Sequence, residues 1–148
     1  MSLRITKLTN TDIQTLIKVI RLFEDVFEMS HFEMPPNSHL AHTLAKQNFF
    51  VFAARMENEV VGGLTAYTLD QYYSEKPLAY IYDLAVSRDH QRRGVGRKLI
   101  KATGEFCRKH GFEEVFVQAD KVDDHAIDFY RSTLPTEEEQ VVHFYYTL

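Results

Sequence analysis

The segment Gln91-Arg-Arg-Gly-Val-Gly-Arg97 decides the fold, because a strand pattern precedes it and a helix pattern follows it. Residues 79–86, Ala-Tyr-Ile-Tyr-Asp-Leu-Ala-Val, indicate a β-strand, and residues 97–101 open an amphipathic helix. Glycines let a backbone come close to a ligand, and the free N–H groups of a helix N-terminus favour anions. The sequence therefore predicts an anion site at this turn, with fixed positive charge from its three arginines. An ordinary basic turn is the alternative interpretation.

The spacing of this turn excludes two common phosphate-binding loops. A P-loop requires Lys and then Ser or Thr directly after its last glycine, whereas Gly96 is followed by Arg97, Lys98 and Leu99. A dinucleotide-binding fingerprint requires a third small residue where this chain has Leu99. Any phosphorylated ligand is therefore held by another kind of loop.

Two motifs point to a known family. The pattern Gln91-x-x-Gly94-x-Gly96, after a strand ending in Asp-Leu-Ala-Val86, resembles the acetyl-CoA signature of the GNAT superfamily of N-acetyltransferases, [Arg/Gln]-x-x-Gly-x-[Gly/Ala]. Downstream, residues 123–130 are similar to the Asn-x-x-Ala-Ile-x-Leu-Tyr segment of that family. The resemblance implies one α/β (α+β) domain over residues 1–148. Its central sheet would be mixed, mostly antiparallel, flanked by helices and splayed beside the acetyl-CoA-binding strand.

A narrower likeness concerns the substrate. Residues 80–87, Val117-Gln-Ala-Asp120 and Asp123-Asp124 look like the aminoglycoside 3-N-acetyltransferase branch of the family. Two departures accompany this likeness. Asp123 stands where asparagine is usual, and Arg-Ser-Thr-Leu-Pro at residues 131–135 replaces the usual Lys-Leu-Gly-Phe. We therefore expect an atypical C-terminal turn.

The resemblance implies acetyl-CoA as co-substrate and suggests which residues hold it. The loop would bind the pyrophosphate, and the backbone after Asp83 would pair with the pantetheine arm. The same backbone would hydrogen-bond the thioester carbonyl, where negative charge develops in the transition state. The residues expected to bind the cofactor are Leu84, Ala85, Val86, Gln91, Arg92, Arg93, Gly94, Val95, Gly96, Arg97, Asp123 and Ala126.

Acetyl transfer to an amine also needs proton carriers, because an alkylammonium must lose a proton before it attacks. Asp83 and Asp120, each near the end of a predicted strand, are candidates to accept this proton or to hold the cation. The alternatives are a strand-end residue bonded to local N–H groups for Asp83, and a turn or cap residue for Asp120. Tyr130 is the resembling position for the acid that protonates the CoA thiolate; the alternative is a packed core aromatic. Asp124 is a further expected substrate carboxylate, although Asp123 and Asp124 also suit helix caps.

The composition limits the class of protein. The chain has 148 residues, a formal net charge of −4 and one cysteine, Cys107. These values favour a single globular domain in a reducing cytoplasm, and they disfavour a nucleic-acid binder. No apolar run has the length of a membrane span, and Met1-Ser-Leu-Arg4 begins no signal peptide. The seven histidines are scattered and match no metal-binding pattern, so we expect no metal, and we expect Cys107 to be a packing residue.

Hydrophobic periodicity and turn residues predict ten elements along the chain. The predicted strands are residues 3–8, 49–54, 60–67, 79–86, 114–119 and 141–146. The predicted helices are residues 13–28, 38–46, 94–110 and 124–132, with Gly111 just beyond the third.

The function predicted from these observations is acetyl-CoA-dependent N-acetylation of a primary amine on a small polycationic molecule, with an aminoglycoside as the candidate acceptor. A polyamine, an amino acid or a protein N-terminus is the alternative acceptor. A non-catalytic acyl-CoA-binding module is the alternative class. The expected partner is a small-molecule amine, with neither nucleic acid nor membrane, and a homodimer is a hypothesis.

Overall fold

The computed structural model describes residues 2–148, which contain five strands, four α-helices and one short 3-10 helix, Arg88–His90. The strands are β1 (Leu3–Lys7), β2 (Phe49–Met56), β3 (Glu59–Leu69), β4 (Leu78–Val86) and β5 (Glu114–Val117). The α-helices are α1 (Ile13–Val26), α2 (Asn37–Leu44), α3 (Val95–Lys109) and α4 (Asp124–Ser132).

The five strands form one sheet in the order β1-β2-β3-β4-β5. The first four pair antiparallel, and β5 pairs parallel with β4, so the predicted mixed, mostly antiparallel sheet flanked by helices is confirmed. The ladder between β4 and β5 ends at the pair Ile81 and Val117, whereas β4 continues to Val86. Residues 82–86 therefore extend past their neighbouring strand, in agreement with the predicted splay.

Two adjacent glycines in β3 allow one helix to approach each face of the sheet. A Cβ atom on Gly63 would lie 2.5 Å from Cγ1 of Val19 on α1. A Cβ atom on Gly62 would lie 3.0 Å from Cγ1 of Val95 on α3. Successive residues of a strand point to opposite faces of the sheet. Gly62 therefore faces the apolar cluster that includes α3, and Gly63 faces the apolar cluster that includes α1.

The chain divides into two compact units, Met1–Gln118 and Ala119–Leu148. The first unit contains the whole sheet with α1, α2 and α3. The second unit contains α4 and the residues after it. The single domain expected over residues 1–148 stays a prediction.

One predicted element is wrong: residues 141–146 form no strand. Their side chains are exposed, with 77% of Val142 and 87% of Tyr146 accessible to solvent. Aromatic and β-branched residues favour a strand, but a strand forms only where another backbone pairs with it, and no ladder includes this segment in the described part of the chain. In addition, β5 ends at Val117 rather than at residue 119.

The other predicted elements are confirmed, with ends that shift by at most two residues. Gly111 has φ 77° just after α3, as its predicted position requires. Within residues 2–148, no helix is both long enough and apolar enough to cross a membrane.

Candidate active site

The turn between β4 and α3 has the backbone of an anion site. Arg92 and Gly94 both have positive φ, at 63° and 81°. Gly94 is the N-cap of α3, and it has no side chain that could cap the helix. A Cβ atom on Gly94 would meet no described atom within 4 Å. Glycine is therefore required here by its φ angle, and the space outside it is open to a ligand.

The start of this turn is attached to the end of β4. The side-chain Nε2 of Gln91 donates a hydrogen bond to the carbonyl of Val86 at 3.0 Å. The N–H of Ser87 donates to the carbonyl of Val61 at 2.8 Å, and the Ser87 hydroxyl lies 2.7 Å from Nδ1 of His90. The predicted cofactor residues Arg92, Arg93 and Arg97 are exposed on the same turn.

Beside the turn, Leu84, Ala85 and Val86 use their side chains for packing. Leu84 and Val86 pack against the cluster of α3, and Ala85 belongs to the cluster of α1. One backbone edge of these residues pairs with β3, and the other edge lies where β5 has ended. Only their backbone can therefore serve a ligand, as the predicted pantetheine contact requires.

Asp83 lies within β4, at an irregularity of the ladder. Thr65 of β3 faces Asp83 and the next residue, Ala66, faces Ile81, so Tyr82 is an extra residue in a β-bulge. The N–H of Asp83 donates to the hydroxyl of Thr65 at 3.2 Å. The carboxyl is half-buried, and burial raises its pKa above the usual aspartate value. A raised pKa makes this carboxylate a better proton acceptor near neutral pH.

Four aromatic side chains of β3, β4 and β5 form what we call the aromatic row: Tyr67, Tyr80, Tyr82 and Phe116. Tyr82 precedes Asp83 directly in the chain. Ring centroids are 5.6 Å apart for Tyr67 and Tyr82, 5.8 Å for Tyr82 and Tyr80, and 4.7 Å for Tyr80 and Phe116. The Tyr80 hydroxyl donates to Oε1 of Gln118 at 3.0 Å. Sequence reasoning did not single out this row. The alternation Tyr80-Ile-Tyr82 would have placed two of its members on one face of the sheet.

Asp83 of β4 affects the pKa of Tyr67 on the neighbouring strand β3. Burial raises the pKa of Tyr67, and the neighbouring Tyr82 and Asp83 raise it further. The Tyr67 phenol therefore keeps its proton at neutral pH and stays a hydrogen-bond donor beside the carboxylate.

The remaining predicted site residues belong to the second unit. Asp123 is the N-cap of α4 and accepts a hydrogen bond from the Ala126 N–H at 3.0 Å, which confirms its alternative role as a helix cap. The carbonyl of Asp120 accepts from the Asp123 N–H at 2.9 Å, so Asp120 lies in a turn. Asp124 is exposed in the first turn of α4, and Tyr130 is half-buried further along that helix. Asp83 and the loop at residues 91–97 belong to the first unit. The catalytic and binding roles that the residues of the second unit would share with them therefore stay predictions.

Two further kinds of side chain have possible chemistry, the metal-ligating residues and the single thiol. Residues 2–148 contain no group of three His, Cys, Asp or Glu side chains that could hold a metal ion. Cys107 is buried on α3, and burial raises its pKa to about 11. A buried thiol with a high pKa is a packing residue rather than a nucleophile, as expected from the sequence.

Comparison with known proteins decides the family. The sequence profile of the Acetyltransferase (GNAT) family matches residues 16–134. The chain belongs to this family. The predicted family is confirmed, and with it, at the level of the family, the predicted enzyme class and its co-substrate acetyl-CoA.

Solved structures with the same fold include two aminoglycoside acetyltransferases from uncultured soil metagenomic samples. The enzyme meta-AAC0020 aligns over 99% of this chain and 96% of its own, with 64% identity and a TM-score of 0.97 in its trehalose complex. Its sisomicin complex gives 63% identity and a TM-score of 0.98. The enzyme HMB0005 is 33% identical, with 100% of this chain and 99% of its own covered and a TM-score of 0.93.

A human protein extends the family comparison at lower identity. N-acetyltransferase 8 of Homo sapiens is 25% identical over 89 residues, which are 60% of this chain and 39% of that protein. N-acetyltransferase 8B of Homo sapiens matches with 36% of its length, so the chain spans less than two fifths of the curated relatives it matches.

Proposed function

We propose that this chain transfers the acetyl group of acetyl-CoA to a primary amine of an aminoglycoside. The observation that carries the proposal is the identity of 63–64% over 99% of the chain to an aminoglycoside acetyltransferase. That relative binds trehalose and sisomicin, a neutral and a polycationic glycoside. The acceptor site would therefore accommodate sugar rings as well as ammonium groups.

The cofactor half of the proposal rests on the turn at residues 91–97. The positive φ of Gly94, the open space around it and the N-terminus of α3 suit the pyrophosphate of acetyl-CoA. The pantetheine arm would pair with the backbone of residues 84–86, beyond the point where β5 ends. This arrangement would leave the thioester close to the β-bulge at Tyr82.

The proton-transfer half assigns Asp83 as the base and Tyr130 as the acid. Asp83 would take a proton from the acceptor ammonium, directly or through a water molecule, and the free amine would attack the thioester carbonyl. The C–S bond then breaks, and the CoA thiolate takes a proton from the Tyr130 phenol. The resulting phenolate recovers a proton, through water, from the nitrogen of the new amide, so one proton in all leaves through Asp83. The raised pKa of Asp83 supports its part. Reference pKa values of roughly 10 for a phenol and 8.5 for a thiol make the second transfer mildly uphill, so it depends on positioning.

The acidic side chains of the second unit would hold other ammonium groups of the acceptor. Asp120, Asp123 and Asp124 are exposed, and the net charge of the chain is −4. Exposed charge pairs of this kind are screened by salt, so they would guide a polycation rather than fix it. We place this activity in the cytoplasm, where it would give resistance to the antibiotic that it acetylates. The single cysteine, which can form no intrachain disulfide, supports that compartment.

Release of CoA from acetyl-CoA in the presence of different amines tests the proposal. Sisomicin, spermidine, glycine and a peptide with a free N-terminus represent the four acceptor classes. We expect sisomicin to give the largest kcat/KM and its KM to rise steeply with salt, whereas the KM of a mono-amine should change little. NMR of the product would locate the acetyl group, and the resemblance to the 3-N branch makes the 3-amino group the first position to check.

Two results would overturn the proposal in different ways. Turnover of spermidine, glycine or the peptide without turnover of sisomicin would change the acceptor class and keep the reaction. Tight binding of acetyl-CoA without any accelerated CoA release would leave a non-catalytic acyl-CoA-binding module.

A further inference from the structure

We infer that the aromatic row of Tyr67, Tyr80, Tyr82 and Phe116 is the surface on which a polycationic glycoside docks, with its reacting ammonium at Asp83. This inference rests on the proposed function and adds the specificity-determining side chains. The proposed ligand is an amino sugar, and the faces of its sugar rings would pack against the aromatic side chains.

The β-bulge at Tyr82 is the first observation, because it brings the row and the carboxylate to one face of the sheet. Ile81 belongs to the α3 cluster, and so does Leu84, three residues later. Strict alternation would put those two residues on opposite faces. The bulge changes the alternation between them, so Tyr82 and Asp83, although adjacent, both lie on the α1 face. Bulges that redirect a side chain are common next to active sites.

The second observation is that the α1 face of the sheet is accessible to solvent at Tyr82. Where Gly63 and Ala85 lie, α1 packs directly on the sheet through Val19. Farther along the same strands, Tyr82 is 60% exposed, although its ring lies between two other tyrosine rings. A contiguous aromatic surface beside a half-buried carboxylate is typical of a binding site rather than of an ordinary sheet surface.

The third observation is the match between this surface and the chemistry of an amino sugar. The face of an aromatic ring attracts an ammonium group, and the effect grows as the site loses water. The same face packs against the apolar C–H groups of a sugar ring, while phenol hydroxyls at the ring edges hydrogen-bond its polar groups. Charge complementarity is supplied by Asp83, which lies next to Tyr82 in the chain and close enough to Tyr67 to raise its pKa.

Spacing along the row agrees with this occupant. Its rings come from β3, β4 and β5, and successive centroids are between 4.7 and 5.8 Å apart. A single amine such as glycine would contact one ring, whereas a molecule of several linked sugar rings would contact several. The row would therefore select linked amino sugars over simple amines.

The test compares steady-state kinetics of Tyr82→Leu and Tyr82→Phe with sisomicin and acetyl-CoA. Tyr82→Leu removes the ring face and keeps an apolar side chain, whereas Tyr82→Phe keeps the ring. The matched control is Tyr72→Leu, a tyrosine that is 97% exposed in the loop between β3 and β4. We expect Tyr82→Leu to raise the KM of sisomicin roughly tenfold, the size of a partly desolvated cation–π contact. Its kcat and the KM of acetyl-CoA should stay within about twofold of the wild-type values. Tyr82→Phe, which keeps the ring face and loses only the hydroxyl, should raise the KM of sisomicin less than Tyr82→Leu does, and Tyr72→Leu should match the wild type.

A binding measurement with a neutral disaccharide separates ring packing from charge. Calorimetric titration with trehalose should show weaker binding to Tyr82→Leu than to the wild type if sugar rings lie on the row. Equal KM values for sisomicin in Tyr82→Leu and Tyr72→Leu, with an active wild type, would overturn this inference and leave the proposed function intact. A wild type that acetylates no aminoglycoside would overturn the proposed function and, with it, the occupant.

Discussion

Gly63 and Gly94 contrast a glycine that serves packing in one region with a glycine for which we propose ligand access in another. At Gly63, a side chain would collide with Val19 at 2.5 Å, because α1 lies directly on the strand. At Gly94, a side chain would meet no described atom within 4 Å, and the constraint is a φ of 81°. A glycine kept for packing has neighbours at its missing Cβ. A glycine kept for a ligand has an unusual φ and empty space, so the two regions should respond differently to substitution.

The largest expected effect is on cofactor binding, in Gly94→Val. The branched side chain would occupy the space that we propose for the pyrophosphate and would resist the positive φ, so we expect no measurable acetyl-CoA binding by calorimetry. The left-handed backbone would cost about 1–2 kcal/mol of stability, so circular dichroism should still show a folded protein. Undiminished affinity for acetyl-CoA would show that the loop is an ordinary basic turn.

Asp83→Asn extends the contrast from the loop to the neighbouring strand. As the proposed base, Asp83 must be deprotonated, and its raised pKa places the acid limb of the pH–rate profile above the usual aspartate range near 4. We expect the substitution to lower kcat roughly a thousandfold and to remove that limb.

The melting temperature gives the control for Asp83→Asn. Burial penalises the charged carboxylate in the folded state, so stability from this group is lost as the pH rises through its raised pKa. The variant should therefore melt at the wild-type temperature or above it at pH 7. A higher amine KM with an unchanged kcat and pH profile would make Asp83 an anchor for the cation instead.

Tyr130→Phe tests whether Tyr130 of α4 is the proposed general acid or an aromatic residue that only packs. Loss of the hydroxyl should lower kcat about a hundredfold and leave the Kd of acetyl-CoA nearly unchanged, because only proton donation needs that group. Single-turnover kinetics would ensure that chemistry is the measured step. Unchanged turnover would return Tyr130 to a packing role.

The packing role of Gly63 is tested by replacing glycine with alanine at Gly63 and, as a control, at Gly104. Gly63→Ala should destabilise the fold by about 2 kcal/mol, because Val19 is stiff and must move away from the new methyl group. Gly104→Ala on α3 is the control, since its Cβ would meet no described atom within 4 Å, and it should stabilise by roughly 0.5–1 kcal/mol. Thermal unfolding measures both, and shifts of the same sign would contradict the packing role of Gly63.

The smallest effect is expected at Asp123, which caps α4 and which we also propose as a cofactor residue. Asp123→Ala removes the N-cap of α4 and should cost about 1 kcal/mol. Asp123→Asn keeps a capping oxygen and is the usual family residue, so it should retain both stability and acetyl-CoA affinity. If affinity falls in Asp123→Asn while the melting temperature stays constant, the charge contributes to the cofactor site.

The sequence predicted most elements of the fold because local patterns determine them. The glycines and arginines of residues 91–97 lie between a strand pattern and a helix pattern. They predicted the loop without any knowledge of the distant residues that pack around it. The sequence left two roles open for Asp123, because a carboxylate can cap a helix N-terminus or contact a ligand. The cap role became visible only through the hydrogen bond from the Ala126 N–H.

Features that depend on distant parts of the chain were missed. Residues 141–146 have the composition of a strand, but composition does not supply a pairing partner. The aromatic row joins β3, β4 and β5 through a bulge, which no local pattern shows. The raised pKa of Asp83 likewise arises from burial and not from sequence neighbours.

The exposed side chains of residues 141–148 also affect how the protein behaves in concentrated solution. This segment presents Val, Phe, Tyr and Leu side chains to water, and such stretches associate with copies of themselves when charge does not keep molecules apart. The run Glu137-Glu-Glu139 precedes it and supplies that repulsion. Because the isoelectric point is near 6.0, net repulsion between molecules nearly vanishes at mildly acidic pH. Colloidal stability should therefore be lowest near pH 6 and recover at pH 8, where light scattering would show smaller particles.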